Sequence, residues 1–291
     1  MAPPCLNVVG TGKLARTLVR LFVERELVQA GDFYNRTEAN TEAAIEFCGG
    51  GSLAHSLQTM GQADIWLIGT PDDAIAETAK KLSRAKARWR GTVVFHASGL
   101  HSSALLAPLH DKGAAVASAH PAHSFASPEQ SLHSYAGSTC TLEGDDEATA
   151  RLRPLFEHID STVITIRGEG KALYHAATVL AANYLVALQR ASLDLLDRAG
   201  LETAPATHLI QTLMSAALAN TQQLGVTEAL TGPAARGDLD TLNAHLNALT
   251  SDSPETVALY RALGRVAATI ARDQGRLGTE QLAAMEDFFG D

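Results

Sequence analysis

Lys171, His175 and Asn183 lie on one predicted helix, Lys171-Ala172-Leu173-Tyr174-His175 continuing past Thr178 and Ala182. At 3.6 residues per turn, Lys171, His175, Thr178 and Ala182 share a face, with Asn183 on its flank. A cation and an imidazole among small neighbours suit a carbonyl or imine that accepts hydride. Such a group needs a proton donor, which Lys171 or His175 can supply once its pKa is tuned. A competing reading has Lys171 solvated at a helix start and His175 as a hydrogen-bonded interdomain residue. The spacing permits both. His120 and His123 flank Pro121-Ala122 at the end of another apolar run, where His120 could polarise a substrate oxygen. No Asp or Glu sits at helpful spacing to His120, His123 and His175, so no metal is expected. Arg236 follows the Thr231-Gly232-Pro233 turn. It either pairs with Asp238, a plausible N-cap, or grips an anionic substrate.

Hydride chemistry needs a carrier, and the amino-terminal stretch reads as its holder. The apolar run Leu6-Asn7-Val8-Val9 stops at Gly10 and gives way to Leu14, Leu18, Leu21 and Phe22 at helical spacing. Between them Gly10-Thr11-Gly12-Lys13-Leu14-Ala15 spells G-x-G-x-x-A, the dinucleotide fingerprint with Ala in third place. Gly10 permits the tight turn, Gly12 lets a pyrophosphate approach the backbone, and Ala15 lets the helix sit against the strand. The turn from Gly10 through Leu14 then aims its N–H groups and a positive helix end at the phosphates. NAD-selective sites carry a carboxylate about 20 residues further on, for the ribose 2′-hydroxyl. Here Asn35 holds that place, followed by Arg36 and Thr37. With no carboxylate to repel it, a 2′-phosphate can pair with Arg36 and hydrogen-bond to Thr37, which points to NADP. The alternative is that Arg36 is a solvated surface charge.

Elements that could position these groups follow from the patterning. Apolar runs at Ile65–Gly69, Thr92–His96 and Ala114–Ala117 read as buried parallel strands. They exit through Thr70-Pro71-Asp72, Ala97-Ser98-Gly99 and His120-Pro121. Ligands bind at strand exits in open α/β sheets, so Thr70, Pro71, Ser98 and Gly99 join the cofactor residues, and Asp72 reads as a helix cap. Strands at 138–142 and 162–166, with a helix between them, extend the sheet. From Gly168 onward helical runs dominate, at 171–199, 205–224, 239–249, 254–274 and 279–289, separated at Gly200, at Thr231-Gly232-Pro233 and at Ser251–Ser253. The expected architecture is a doubly wound, mostly parallel α/β sheet over 1–167, followed by an all-α domain over 168–291.

Composition narrows the function. The 291 residues are 46% hydrophobic and 19% charged, ordinary for a globular chain with a sizeable core. A net charge of −9 without a basic block argues against nucleic acid. Neither a leader pattern nor a long uncharged apolar run is visible, so a cytoplasmic, membrane-free protein is expected. Cys5, Cys48 and Cys140 lie far apart and read as reduced thiols.

The sequence also resembles a known family. The residues that carry the resemblance are Gly10–Ala15, Thr70-Pro71-Asp72, His96-Ala97-Ser98-Gly99, His120-Pro121, Lys171–His175 with Asn183, and Thr231-Gly232-Pro233 with Arg236-Gly237-Asp238. The family pairs a Rossmann-like domain with a C-terminal helical domain of unknown function. Its members are described as NADP oxidoreductases, similar to pyrroline-5-carboxylate reductase and the 6-phosphogluconate dehydrogenase superfamily. The resemblance implies an NADP-binding domain, an all-α dimerising domain and a small-molecule substrate cleft between them. It makes Lys171 the proton donor or acceptor, His175 an orienting or polarising group, and Asn183 a supporting hydrogen-bonder. One departure matters. The β-hydroxyacid dehydrogenases and ketopantoate reductase carry Lys-x-x-x-Asn on this helix, and here His175 stands fourth after Lys171. That substitution motivates the alternative of a non-catalytic NADP-binding sensor or scaffold.

Overall fold

The computed structural model describes residues 2–249 and 254–290. The helix break expected at Ser251–Ser253 lies outside the described residues. Strands and helices alternate through the first half: β1 (Cys5–Val9), α1 (Lys13–Glu24), β2 (Gln29–Tyr34), α2 (Glu38–Cys48), β3 (Ser52–Leu53), β4 (Ile65–Ile68), α3 (Ile75–Leu82), β5 (Val93–His96), α4 (Ala107–His110), β6 (Ala115–Ala122), α5 (Pro128–Ser134), β7 (Thr139–Gly144), α6 (Asp146–Glu157) and β8 (Thr162–Thr165). They make one sheet of order β3-β2-β1-β4-β5-β6-β7-β8. β6 and β7 pair antiparallel, and the other neighbours are parallel. The chain builds outward from β1 to β3, then returns to place β4 on the other side of β1. That reversal opens a crevice outside the carboxyl ends of β1 and β4.

The central strands are apolar throughout because both faces are covered. Leu6, Val8, Leu67 and Phe95 pack under α1 and α6 with Leu18, Phe22 and Phe156. Val9, Trp66, Ile68 and Val94 face the other way, onto Ile75, Ala79, Leu82 and Leu106. This is the two-residue alternation of a pleated sheet, hidden in the sequence because neither face is wet. β6 runs on to Ala122, beyond the expected end at Ala117. β5 pairs with it only as far as Ser118, so Pro121 interrupts no ladder on that side. Cys48 and Cys140 are buried free thiols, and Cys5 is partly exposed.

The helices that follow are α7 (Lys171–Thr178), a π-helical turn at Val179–Asn183, α8 (Tyr184–Arg198), α9 (Thr203–Ala229), α10 (Pro233–Arg236), α11 (Leu239–Leu249), α12 (Pro254–Asp273) and α13 (Thr279–Phe289). The chain divides into two compact units, Met1–Asn183 and Tyr184–Asp291, so α7 goes with the sheet. The π turn breaks the 3.6-residue period on which the stripe from Lys171 to Ala182 was read, and the regular part of that stripe ends at Thr178. In the second unit, α9 is interrupted at Gly225 (φ 79°, ψ 163°), one residue past the expected helix end. Leu242, Ala268, Met285 and Phe289 form its small core, and Gly264 leaves room for the Phe289 ring where a Cβ would collide with it. Among the described residues, no helix is long and apolar enough to cross a membrane.

Candidate active site

Two glycine turns meet at the crevice. Register pairs Val9 with Ile68, which brings Gly10 against Gly69. A Cβ on Gly10 would lie 2.7 Å from the Thr70 nitrogen, and φ is +86° there, so only glycine fits. Gly12 caps α1 without a side-chain bond, leaving the first N–H groups of the helix to a ligand. A Cβ on Gly12 would meet nothing closer than the Gly69 carbonyl at 3.8 Å, so space above it is open.

A cleft of 1230 Å³ lies over this turn, lined by Gly10, Thr11, Gly12, Lys13, Leu14, Asn35, Arg36, Thr37, Thr70, Pro71 and Ser98. The structure thus gathers every sequence-predicted cofactor residue except Gly99. They differ in what they have to offer. The Asn35 amide donates to Thr11 Oγ1 at 2.8 Å and accepts the Arg36 N–H, tying the exit of β2 to the glycine turn. Lys13 Nζ is held at 2.7 Å by the Ala126 carbonyl, and Leu14 packs its side chain on the core, so both present backbone to the cleft. Arg36 and Thr37 are exposed, and among the described residues the Arg36 guanidinium has no hydrogen bond or ion pair. Thr70 Oγ1 is buried with no partner. An uncapped helix end, an orphaned hydroxyl and an unpaired guanidinium fit a phosphorylated dinucleotide.

Next to the cleft, Ser98 is a hub. Its hydroxyl donates to Asp72 Oδ2 at 2.6 Å and accepts the N–H groups of Leu100 and His101. Its N–H donates to His96 Nδ1 at 3.2 Å, and His96 Nε2 lies 3.1 Å from the Ser102 carbonyl. His96 is therefore the satisfied strand-end residue, and burial pushes its pKa down to about 4. Asp72 does not cap the following turn, whose N-cap is Pro71; its carboxylate is taken by Ser98.

The Ser98 carbonyl accepts Lys171 Nζ at 2.7 Å and Ser118 Oγ at 3.1 Å, and Lys171 also donates to Ser118 Oγ. Lys171 is 1% exposed. Burial lowers its pKa to about 8 against the opposing pull of Glu143, Asp72 and Cys140. It is neither solvated nor open to a ligand.

His120 and His175 meet over Gly99. Their rings cross at 88° with centroids 6.0 Å apart. A Cβ on Gly99 would sit 2.6 Å from His175 Nδ1 and 2.9 Å from His120 Nε2, so glycine is required for both imidazoles to reach this point. Behind them, Tyr174 Oη is 2.8 Å from His120 Nδ1. Burial first, then the Lys171 and His175 charges, bring the His120 pKa down to about 4, while Asp72 opposes them.

Other sequence-predicted residues lie apart. Asn183 is exposed at the end of the π turn and makes no hydrogen bond among the described residues. His123 is hydrogen-bonded to Ser134 and Ser138. In the helical unit, Arg236 is 3.8 Å from Asp238, which caps α11 by accepting the Thr241 N–H and hydroxyl. Arg236 lines a second, 420 Å³ pocket with Arg276 and Gln281. Sequence reasoning missed Ser118 and Tyr174. Ser118 carried a signal, being the one hydroxyl inside the apolar stretch Ala114–Ala119.

Comparison with known proteins places this geometry. Residues 6–121 match a Rossmann-like domain, and residues 138–267 match a domain of unknown function, DUF2520. The structure is similar to protein TM1727 of Thermotoga maritima, with 28% identity, a TM-score of 0.74, and coverage of 93% of this chain and 100% of that one. A protein assigned provisionally as an NADP oxidoreductase, BF3122 of Bacteroides fragilis, aligns at 20% identity and TM-score 0.73 over 93% and 99% of the two chains. A reductive aminase of Aspergillus terreus, solved with NADPH and ethyl levulinate, shares the fold at 16% identity and TM-score 0.59 over 99% and 92%. No curated protein sequence matches the chain.

Proposed function

We propose that this chain, which joins a Rossmann-like domain to a DUF2520 domain, is an NADP-dependent oxidoreductase acting on a small carbonyl, imine or hydroxy-acid substrate. The observation that carries the reading is the cleft over the glycine turn, lined by Ser98 and by Arg36, whose guanidinium is unpaired among the described residues. Ser98 is followed in the chain by Gly99, over which two imidazoles converge outside the lining of that cleft. Structural neighbours named as an NADP oxidoreductase and as a reductive aminase in complex with NADPH support the class.

The roles follow from the contacts. The N–H groups from Gly12 to Leu14 would hold the pyrophosphate, Thr70 Oγ1 would donate to or accept from the cofactor, and Arg36 with Thr37 would take the 2′-phosphate. When bound, the cofactor supplies or accepts a hydride at its nicotinamide. The remaining work, orienting the substrate heteroatom and moving its proton, would fall to His120 and His175, with Lys171 fixing the Ser98 carbonyl. Helices of the second unit would carry the homodimer contacts.

Calorimetric titration with NADPH and NADH, on the parent protein and Arg36→Ala, tests the cofactor. A charge-assisted contact is worth about 1.5–3 kcal/mol, so NADPH should be preferred by about 10- to 150-fold and the variant should lose that preference. Equal affinities, or none, would remove the NADP reading. NADPH that binds but is not oxidised across a panel of 2-oxo acids and cyclic imines would favour a non-catalytic sensor, the reading suggested by the confinement of Lys171.

A further inference from the structure

We infer that His120 hands the proton to the substrate, that Tyr174 resupplies it through the other imidazole nitrogen, and that Lys171 is a positioning cation. This deepens the oxidoreductase reading and rests on it. Lys171 has the chemistry of a donor but not the access: its ammonium is buried and spends two of its three N–H groups on the Ser98 carbonyl and the Ser118 hydroxyl. Reaching a ligand would break both bonds and leave Ser118 with only its donation to Ser98.

His120 is less confined. It is half-buried, and its Nε2 and His175 Nδ1, the latter 3.5 Å from the Thr178 hydroxyl, both pack against the face of Gly99 that lacks a Cβ, so a small polar atom beside that face could contact both. Its Nδ1 is 2.8 Å from the Tyr174 hydroxyl. An imidazole nitrogen is a far stronger base than a phenol oxygen, and the phenol is the better donor, so Tyr174 donates and the His120 hydrogen sits on Nε2. Burial first, then the neighbouring Lys171 and His175, outweigh Asp72 and keep this imidazole neutral at pH 7. A neutral imidazole can give up its Nε2 proton when another arrives at Nδ1. Tyr174 can deliver that proton, and because burial raises its pKa, the phenolate it leaves recaptures a proton readily.

The step balances for reduction. The substrate carbon gains the hydride and its π bond breaks toward the heteroatom. The heteroatom takes the Nε2 proton of His120, Nδ1 takes the phenolic proton of Tyr174, and water reprotonates the phenolate. His120 ends with its hydrogen on Nδ1 and returns by the reverse exchange once product leaves. Lys171 pins Ser98 and discourages a second positive charge on His120.

The test is a nitrogen-15 histidine spectrum at pH 7, with and without NADPH, His120 being assigned by loss of its signals in His120→Gln. The expected result is a neutral His120 protonated on Nε2, a shift toward a mixture of tautomers in Tyr174→Phe, and a higher His120 titration midpoint in Lys171→Met. A hydrogen resident on Nδ1 in the parent protein, or a tautomer indifferent to Tyr174→Phe, would overturn the relay. Should Lys171→Met fail to fold, the parent and Tyr174→Phe spectra still decide the matter. NADPH titration of the same samples separates the two claims. Loss of binding with the imidazoles as expected retires the cofactor reading, and binding with the wrong tautomer retires only the relay.

Discussion

Replacing Lys171 by Met should change how stability depends on pH more than it changes stability itself. The ammonium is 1% exposed, and burial takes its pKa from 10.5 to about 8. Between those two values the unfolded chain still carries the proton and the folded chain has lost it, so stability rises with pH across that window. That depression corresponds to about 3 kcal/mol, fully felt as a penalty below pH 8 and gone above pH 10.5. Met removes the penalty at neutral pH, but it also removes hydrogen bonds to the Ser98 carbonyl and the Ser118 hydroxyl, each worth about 1.5–3 kcal/mol from a charged donor. These effects oppose each other, and at pH 7 the net change should stay within about 3 kcal/mol. Urea denaturation of both proteins at pH 7 and pH 10.5 isolates the lysine, because every other titrating group cancels in the difference. The gap should move by about 3 kcal/mol in favour of the parent protein at the higher pH. Parallel pH profiles would refute the argument, since they would mean that Lys171 holds its proton as readily inside the fold as outside.

Gly99→Ala introduces a Cβ 2.6 Å from His175 and 2.9 Å from His120, so the imidazoles must part. Overpacking of this kind costs about 1–3 kcal/mol, and the His120–Tyr174 bond should be lost with it; histidine spectra unchanged from the parent would contradict that packing. In the helical unit, Leu213 and Leu218 are each 58% exposed and Val226 is 65% exposed, apolar surface of the kind that marks interaction sites. If a second copy covers them, Leu213→Glu should convert a dimer to monomers in sedimentation equilibrium, and a parent protein that sediments as a monomer would refute the dimer.

What could be read from the chain was mostly local. Gly10 through Ala15, the apolar runs at Ile65 and Val93 and the helix break near Gly225 each declare themselves within a few residues, because turn geometry and side-chain periodicity are short-range properties. Arg36 was legible for the same reason, standing a fixed distance beyond the glycines. The neighbourhood of Lys171 was not. Lys171 looks like a solvated helix start until the fold brings it against Ser98, 73 residues earlier, and helical spacing cannot register such a partner. Asn183 falls beside the stripe from Lys171 only if one regular helix runs through to it, and the chain turns π at Val179. Tyr174 gives no signal beside His175 because adjacent residues on a helix point apart, yet both rings meet the His120 ring edge-on.

Ser98 gives the loop after β5 an unusual character. Its N–H, its carbonyl and its hydroxyl are all engaged inside the first unit, so a segment that would ordinarily tolerate sequence drift at a strand end has its freedom removed when the chain folds. An incoming molecule would find that floor already rigid and lose little entropy in ordering it. Evolution toward new substrates would then have to proceed through the surrounding walls, with this serine left in place.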